Sequence, residues 1–273
     1  MKPNQSVTAD VDIVPTDRVL HEQRVNAFMD SRARQDFNPT VTTRFLNIGY
    51  WKDGAKSLDE AAEAMTRLIG KTAGFCADDS ILDVGCGFGD AAMLWTAEFG
   101  PRHIQSIDIN PNQVETARER IRQNGLADLI TCQRASAVDL PFEAQSFTKV
   151  VSVEAAFQFM TREKFFHESF RVLKPGGRLV MADIVPFPGK NFNIFFNAHN
   201  RYPQDEYARK MERAGFHAVN IRSIGEHVFR PYTAFIQSRL SLLNVKGWFN
   251  VTLHRLMSSR IDYILVTADK PLR

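Results

Sequence analysis

Residues 82–90 read Leu82-Asp83-Val84-Gly85-Cys86-Gly87-Phe88-Gly89-Asp90. The apolar run that leads into them, from Ser80 to Val84, has the length of a buried strand and stops at the first glycine. Three glycines at alternate positions then precede a predicted helix over residues 90–99. Glycine lets the backbone approach a ligand closely and adopt dihedral angles that are closed to other residues. A plain strand-to-helix turn needs one such residue, so three of them predict a ligand-binding loop.

Strands and helices alternate along the chain on either side of this loop. A capping box at Ser57-Leu58-Asp59-Glu60 starts one helix, and Asn110-Pro111 starts another that ends near Asn124. A turn is predicted at Lys174-Pro175-Gly176-Gly177. The other predicted elements are strands over 104–108, 129–134, 148–153, 178–185 and 261–267, a strand from His217, and a helix over 161–172. This alternation favours the α/β class, with a Rossmann-like, mostly parallel sheet of seven strands and helices on both faces.

Two segments lie outside the alternation. Residues 1–56 are predicted to form a helical N-terminal cover segment, and residues 57–273 one ligand-binding domain. Within that domain, about residues 186–260 are predicted to form an aromatic-rich, helical cover over one end of the sheet. The apolar positions of the N-terminal helix are Val19, Val25, Phe28 and Met29.

The composition excludes several classes of protein. Hydrophobic residues make up 44% and charged residues 24%, which is ordinary for a packed soluble protein. No run of apolar residues is long enough to span a bilayer, and the N-terminus has neither a signal core nor an Arg-rich targeting pattern. The three cysteines, Cys76, Cys86 and Cys132, lack the spacing of a disulfide framework or a metal site. We expect a cytoplasmic protein with no metal and no integral membrane association.

Charge and phenylalanine are distributed unevenly. Residues 186–273 hold 13 Lys and Arg against 6 Asp and Glu, whereas residues 1–185 hold 21 against 25. Phe accounts for 21 residues, compared with 3 Trp and 5 Tyr. The basic, Phe-rich C-terminal part therefore suggests a partner that is apolar or anionic.

The acidic residues near the glycine loop narrow the choice of ligand. Dinucleotide-binding proteins carry G-x-G-x-x-G around a pyrophosphate, whereas this loop is G-x-G-x-G with Asp83 two residues before its first glycine. An acid there suits a cation and repels a pyrophosphate. Asp108 ends the next predicted strand, nineteen residues after Gly89, where a carboxylate can accept both hydroxyls of a ribose. A ribose, a positive amino-acid end and no pyrophosphate describe S-adenosylmethionine.

Four segments resemble motifs of class I S-adenosylmethionine-dependent methyltransferases of the small-molecule branch, which includes ubiquinone, tocopherol, sterol and natural-product methyltransferases. The segments are Phe45–Trp51, the glycine loop, Ala137-Val138-Asp139-Leu140-Pro141-Phe142, and Val172–Leu179. The resemblance covers about residues 44–185. It implies in-line transfer of a methyl group from S-adenosylmethionine to a small-molecule acceptor, with no nucleic acid bound. We expect a monomer or a homodimer.

The resemblance also implies which residues contact the cofactor. The glycine loop would hold the methionine part with Asp83 near its amino group, Asp108 would bind the ribose, and Ile109 and Asn110 would flank the adenine. Ser136 departs from the pattern, because many relatives carry there an Asp that faces the adenine amine. The expected cofactor contacts are Tyr50, Asp83, Gly85, Gly87, Gly89, Asp108, Ile109, Asn110, Ser136, Ala137 and Val153.

A hydroxyl acceptor needs a general base, and histidine is the commonest choice. Gln158 stands near the place where many relatives have a His, and it can position a substrate but cannot take a proton at neutral pH. His227 and His199 lie in the predicted cover at the ends of predicted elements, so they are the first and second candidates for the base. His21 and His103 are expected to be solvated.

The aromatic residues and arginines of the C-terminal part bear on the acceptor. The phenylalanines either pack the cover onto the sheet or line an apolar pocket, and Arg230 could hold a carboxylate or phosphate through two hydrogen bonds. The expected acceptor contacts are Trp51, Glu154, Phe157, Phe195, Phe196 and Arg230. They favour an apolar acceptor of the natural-product or lipid-like kind, to which an anionic group could be attached.

Two other functions remain open from sequence. An RNA methyltransferase would explain the basic C-terminal part, but the arginines alternate with Phe, and Ser152-Val153-Glu154-Ala155 stands where base-methylating enzymes have N/D-P-P-Y. A non-methylating member of the fold, acting as a cyclase or a binding protein, would keep the same cofactor motifs.

Overall fold

The computed structural model of the chain describes residues 15–34, 44–190, 198–239, 252, 255–256 and 258–273. The helices are α1 (Pro15–Arg34), α2 (Leu58–Ala73), α3 (Asp90–Phe99), α4 (Pro111–Gln123), α5 (Arg162–Val172), α6 (Gln204–Arg213) and α7 (Phe229–Ser238). The strands are β1 (Ser80–Val84), β2 (His103–Asp108), β3 (Ile130–Arg134), β4 (Phe147–Val153), β5 (Leu173–Pro186), β6 (His217–Ser223) and β7 (Ile261–Asp269). Short 3₁₀ turns occupy 156–158, 198–200 and 225–227.

The seven strands form one sheet in the order β3-β2-β1-β4-β5-β7-β6. Strands β1 to β5 run parallel to one another, and β7 is antiparallel to both β5 and β6. The predicted α/β class, with a mostly parallel seven-stranded sheet and flanking helices, is confirmed. The predicted turn at 174–177 is instead an irregular bulge inside β5, where the pairing with β4 shifts register between Phe147 and Lys149.

Helix starts follow the capping residues that the sequence indicates. The Ser57 side chain accepts a hydrogen bond from the Glu60 amide, and the Glu60 carboxylate accepts one from the Lys56 amide. Asn110 caps α4 by accepting from the amides of residues 112 and 113, with Pro111 in the first turn. These caps satisfy amides that the helix itself leaves unpaired, so they set where α2 and α4 begin.

Both faces of the sheet are covered, which is why the central strands carry nearly continuous apolar residues. One face packs against α2 and α3 through fully buried Met65, Ile69 and Trp95. The other packs against α5 and α6 through Phe165, Phe166 and Tyr207. The strands are thus held rigidly, and their carboxyl ends share one edge where ligands bind in this architecture.

A buried ion pair stabilises the second face. The guanidinium of Arg162 and the carboxylate of Asp183 are both fully buried, with Nε and Oδ2 3.0 Å apart. Arg162 also donates to the carbonyls of Asn200 and Ile184, and the Tyr207 hydroxyl donates to Asp183. The Asn200 amide in turn donates to the carbonyls of Phe157 and Phe159. The network therefore fixes the loop that follows β4.

The predicted cover over about residues 186–260 includes part of the sheet itself. Strand β6 pairs with β7 as an edge strand, and α6 packs on the sheet through buried Tyr207 and Met211. The apolar positions of α6 bury against the sheet and β6 pairs at its edge, so residues 204–223 belong to the α/β layers.

Candidate active site

The glycine loop connects β1 to α3 and requires its glycines. Gly85, Gly87 and Gly89 have φ angles of 81°, 56° and 83°, in the left-handed region that favours glycine. A Cβ atom at Gly85 would lie 2.5 Å from the Cβ of Ala155. The loop after β1 and the loop after β4 therefore touch, and the backbone between them is exposed to a cleft at the carboxyl edge of the sheet.

Asp83, the first acid of the site, is the last-but-one residue of β1 and only 1% exposed. Its carboxylate accepts a hydrogen bond from the Ser106 hydroxyl at 3.4 Å. The pKa of Asp83 is raised to about 7, chiefly by burial; the hydrogen bond from Ser106 lowers it, and the nearby charge of Asp108 raises it. A carboxylate that is buried with one long hydrogen bond is stabilised by an added cation. The ammonium group of S-adenosylmethionine supplies such a cation.

Asp108, the second acid, lies at the end of β2. Its two carboxylate oxygens accept from the backbone amides of Gly87 and Asn110, each at 2.9 Å. Burial raises the pKa of Asp108, and these amide hydrogen bonds lower it. Each oxygen keeps acceptor capacity for a second donor, so the pair suits the two hydroxyls of a ribose. Both acids thus fit the cofactor that the sequence indicates.

Most of the predicted cofactor residues line this cleft. Those that do are Asp83, Gly85, Gly87, Asp108, Ile109, Asn110, Ser136, Ala137 and Val153. Gly89 caps α3 and does not line the cleft, and neither does Tyr50, which is buried with its ring 5.6 Å from that of His227. The cleft encloses about 1070 Å³ between its walls, part of it open to solvent.

The predicted catalytic residues are separated by the fold. Gln158 lines the cleft on the loop after β4. His227 does not: it lies in the turn after β6, its backbone carbonyl accepts from the Trp51 amide, and its Nε2 is 3.2 Å from Glu226. His199 is exposed in the 198–200 turn and also lies outside the cleft. The edge of the sheet is wide, so the end of a strand is not in itself close to the cofactor loop.

The predicted acceptor residues are also spread out. Glu154 lines the cleft with φ 54°, and its carboxylate accepts from the Ile48 amide and the Tyr263 hydroxyl, each at 2.9 Å. Phe157 and Trp51 are buried in the core, and Arg230 is exposed on α7 away from the cleft. Phe195 and Phe196 lie outside the described residues.

Helix α1, which lies in the segment that the sequence predicts to be a helical cover, forms a wall of the cleft. Its inward face consists of His21, Glu22, Val25, Asn26 and Met29. The expectation that His21 is solvated is wrong, because its Nε2 lies 2.6 Å from the carbonyl oxygen of Gln158.

Of the four apolar positions expected in this helix, Val25 and Met29 line the cleft. Val19 and Phe28 point outward, at 49% and 40% exposure. The inward residues do share one helical face, but they match no motif, and their partners lie more than 100 positions away in the chain.

Polar contacts attach α1 to three loops of the sheet edge. The Ser136 hydroxyl donates to Glu22 Oε1 at 3.0 Å, and the Asn110 side-chain amide donates to Asp30 Oδ1 at 2.8 Å. Arg18 lies 3.5 Å from Asp139. None of the α1 side chains that the structure describes is buried. The helix is therefore held by side-chain hydrogen bonds and ion pairs and not by a buried apolar face.

Comparison with known proteins gives the same interpretation as the geometry. A family model described as a methyltransferase domain matches residues 82–181, which include the glycine loop and both acids. Erythromycin 3''-O-methyltransferase of Saccharopolyspora erythraea is 29% identical over 265 residues, covering 86% of this chain and 87% of that protein. The protein is a class I, small-molecule S-adenosylmethionine-dependent methyltransferase. Its cofactor is S-adenosylmethionine, and its acceptor is a small molecule.

A second relative and a solved structure are also similar to the methyltransferase. The 27-O-demethylrifamycin SV methyltransferase of Amycolatopsis mediterranei is 29% identical over 255 residues, covering 83% of this chain and 90% of that protein. A geranyl diphosphate C-methyltransferase from Streptomyces coelicolor A3(2) has the same fold, with a TM-score of 0.73 and 20% identity over 92% of this chain and 97% of that one.

The described part of the methyltransferase contains no group of three His, Cys, Asp or Glu side chains arranged to hold a metal ion. None of its described helices combines the length and the apolar content that a bilayer crossing requires.

Proposed function

We propose that the methyltransferase methylates a hydroxyl group of an apolar small molecule of the natural-product kind. The two relatives described above are named for O-methylation of an erythromycin and of a rifamycin, which supports a hydroxyl acceptor. These names also favour methyl transfer over a cyclase or binding role, and a small molecule over RNA.

The observation that carries the proposal is the composition of the cleft beside the glycine loop. Apolar side chains at Phe45, Leu46, Phe159 and Met160 line it there, together with the imidazole of His21. An apolar surface binds an apolar acceptor, and one titratable ring among apolar side chains suits removal of a hydroxyl proton.

The protein's main contribution is positioning. Bound S-adenosylmethionine supplies a methyl group on a sulfonium, which the acceptor oxygen attacks in line. Asp83 would pair with the ammonium group and Asp108 would accept from the ribose hydroxyls, so the methyl is held at a fixed place. Correct orientation of two reactants is worth about 7–11 kcal/mol of the barrier.

His21 is the proposed general base. Its Nε2 lies 2.6 Å from the Gln158 carbonyl oxygen, and a carbonyl only accepts, so Nε2 carries the proton in the neutral ring. Nδ1 is then the nitrogen that can take a proton from the acceptor. Gln158, which the sequence singles out, would act through its backbone by fixing this tautomer.

The covers are assigned by position. We place α1 over the cofactor end of the cleft, and Arg230 on α7, which lies outside the cleft, would be available only to a bulky anionic acceptor. Glu154 would orient the acceptor, because its carboxylate is held by two donors beside the loop that carries Ala155.

The acceptor class is tested with labelled S-adenosylmethionine and a panel of apolar natural products that carry free hydroxyl groups. Each compound is paired with its O-methylated form as the control. We expect a mass gain of one CH₂ group on free-hydroxyl compounds and none on the controls. Methylation of only polar amines or of RNA would overturn the proposal.

The role of His21 as general base is tested with the compound of that panel that is methylated fastest. His21→Ala should lower kcat by about 10²–10⁴-fold and leave the affinity for S-adenosylhomocysteine within a few-fold. Gln23→Ala, an exposed change on the same helix, is the control, and His227→Ala and His199→Ala should stay close to wild type. If His227→Ala loses turnover and His21→Ala does not, the assignment of His21 is wrong.

A further inference from the structure

Two side chains of α1 present oxygen acceptors to the cleft. Glu22 accepts from the Ser136 hydroxyl through Oε1, and Arg18 lies 3.6 Å from the same oxygen. Asn26 Oδ1 is buried and has no hydrogen-bond partner among the described residues. Both residues line the cleft one helical turn apart. A buried acceptor without a donor costs free energy, so this part of the cleft is built for a ligand that donates hydrogen bonds.

The adenine of a bound cofactor would lie at this part of the cleft. Strands β1, β2 and β3 are neighbours in that order, with the glycine loop after β1 and Asp108, the expected ribose acid, at the end of β2. In the cofactor, the adenine is joined to the ribose on the side away from the methionine part. It therefore extends toward the loop after β3, which contributes Ala135 to Val138 to the cleft. Glu22 reaches that loop through Ser136.

The chemistry of the adenine edge matches these acceptors. The exocyclic amine of adenine donates two hydrogen bonds. Ser136 has one hydroxyl proton, and it is given to Glu22, so a carboxylate oxygen is held beside the position where the base edge lies. Both contacts of the Glu22 carboxylate with described residues are made by Oε1.

We propose that α1 recognises the adenine amine, with Glu22 as its principal acceptor and Asn26 Oδ1 as the second. Glu22 takes over, from a helix more than a hundred residues earlier in the chain, the function of the acid that is absent at position 136. Ser136 acts as a positioning residue that holds the carboxylate in place.

Binding measurements test this without an acceptor. The dissociation constants of S-adenosylhomocysteine and of its analogue with hydrogen in place of the 6-amino group are measured by titration calorimetry. Wild type should prefer the amine by about 10- to 100-fold, as expected for a hydrogen bond to a charged group. Glu22→Ala should reduce that ratio to a few-fold by weakening S-adenosylhomocysteine alone, and Asn26→Ala should reduce it less.

A double variant that moves the carboxylate from α1 to the loop after β3 is the decisive test. Ser136→Asp in the Glu22→Ala background returns a carboxylate to the loop after β3, and the preference for the amine should recover. Gln23→Ala, exposed on the same turn of α1, is the matched control and should keep the wild-type ratio. Thermal unfolding of each variant shows whether α1 and the domain remain folded.

The proposal is overturned if Glu22→Ala binds the two ligands with the wild-type ratio. It is also overturned if Glu22→Ala weakens both equally, since that would mean that α1 only closes the cleft. If His21→Ala loses turnover but keeps the wild-type preference for the amine, then the general base and the adenine acceptor are separate functions of α1.

Discussion

The two walls of the cleft are built from different interactions. The sheet wall (residues 83–88 and 107–110) lies on the buried carboxyl edge, where Asp83 is 1% exposed and backbone amides hold Asp108. The helix wall is the inward face of α1, where no described side chain is buried and hydrogen bonds join the helix to the loops of the sheet edge. The sheet wall should therefore be rigid and the helix wall adjustable, which suits a site that must admit and release a bulky cofactor.

The largest expected effect is on the free energy of unfolding, when an ion pair is broken either in the buried core or on α1. Arg162→Met leaves Asp183 charged and buried without its partner, and it should destabilise the fold by about 3–5 kcal/mol. Arg18→Ala removes exposed ion pairs on α1 and should cost about 0–1 kcal/mol. Urea unfolding of both variants measures the difference. Equal losses would mean that α1 is as deeply integrated as the sheet.

The next effect concerns the glycine loop. Gly54 and Gly85 have similar φ angles, 79° and 81°, but a Cβ at Gly54 meets nothing within 4 Å, whereas one at Gly85 meets Ala155. Gly54→Ala should cost about 1–2 kcal/mol of backbone strain.

Gly85→Ala should cost about 1–3 kcal/mol beyond that, through overpacking, and should weaken S-adenosylhomocysteine binding. Thermal unfolding and calorimetry measure the two quantities. If the two variants behave alike, the contact between the loops after β1 and β4 does not matter.

A smaller effect follows from the pKa of about 7 at Asp83. Below that pH the carboxyl is protonated and must lose its proton to pair with an ammonium group. The affinity for S-adenosylhomocysteine should therefore fall by roughly a factor of ten from pH 7.5 to pH 6.

Asp83→Asn should bind weakly with little pH dependence over this range. The stability of the fold changes with pH in the opposite direction to the affinity. Because the pKa of Asp83 is raised in the folded protein, this carboxyl stabilises the fold at low pH, and that contribution is lost as the pH rises through 7. A flat wild-type binding profile would show that Asp83 does not contact the ammonium.

The smallest expected effect is dynamic. Amides of α1 should exchange with solvent faster than those of α2, whose buried face includes Met65 and Ile69. Saturating S-adenosylhomocysteine should slow exchange in α1 more than in α2, because the ligand adds contacts to the helix wall. Hydrogen exchange followed by mass spectrometry measures both. Protection of α1 equal to that of α2 without ligand would remove the distinction between the walls.

The sheet and the cofactor loop could be predicted because their signals are local. Helix α3 spans the predicted residues 90–99, and most of the strand ends agree within a residue or two. Glycines and caps mark these boundaries within a few positions in the chain. The strand from His217 is also predicted, but within the cover range, because only Val219 and Ile221 alternate with polar residues and the chain does not show that this strand pairs with β7.

The candidate base could not be found in the same way. His227 follows a strand end, as the rule for ligand sites suggests, yet that strand is at the far edge of the sheet from β1. Sequence order does not state which strand ends are neighbours, so the rule indicates an edge of the sheet but not a place along that edge. His21 carries no motif, and only the packing of α1 brings it to Gln158.

The sequence by itself determined the α/β class, the glycine loop and the two acids near it, because neighbouring residues set strand ends, turns and caps. Only the tertiary structure decided that α1 completes the cleft. Its contacts join residues 114 and 137 positions apart. Each is a single polar interaction worth little alone, so no periodic pattern in the chain records it, and the helix takes its place only where the folded sheet edge offers all its partners together.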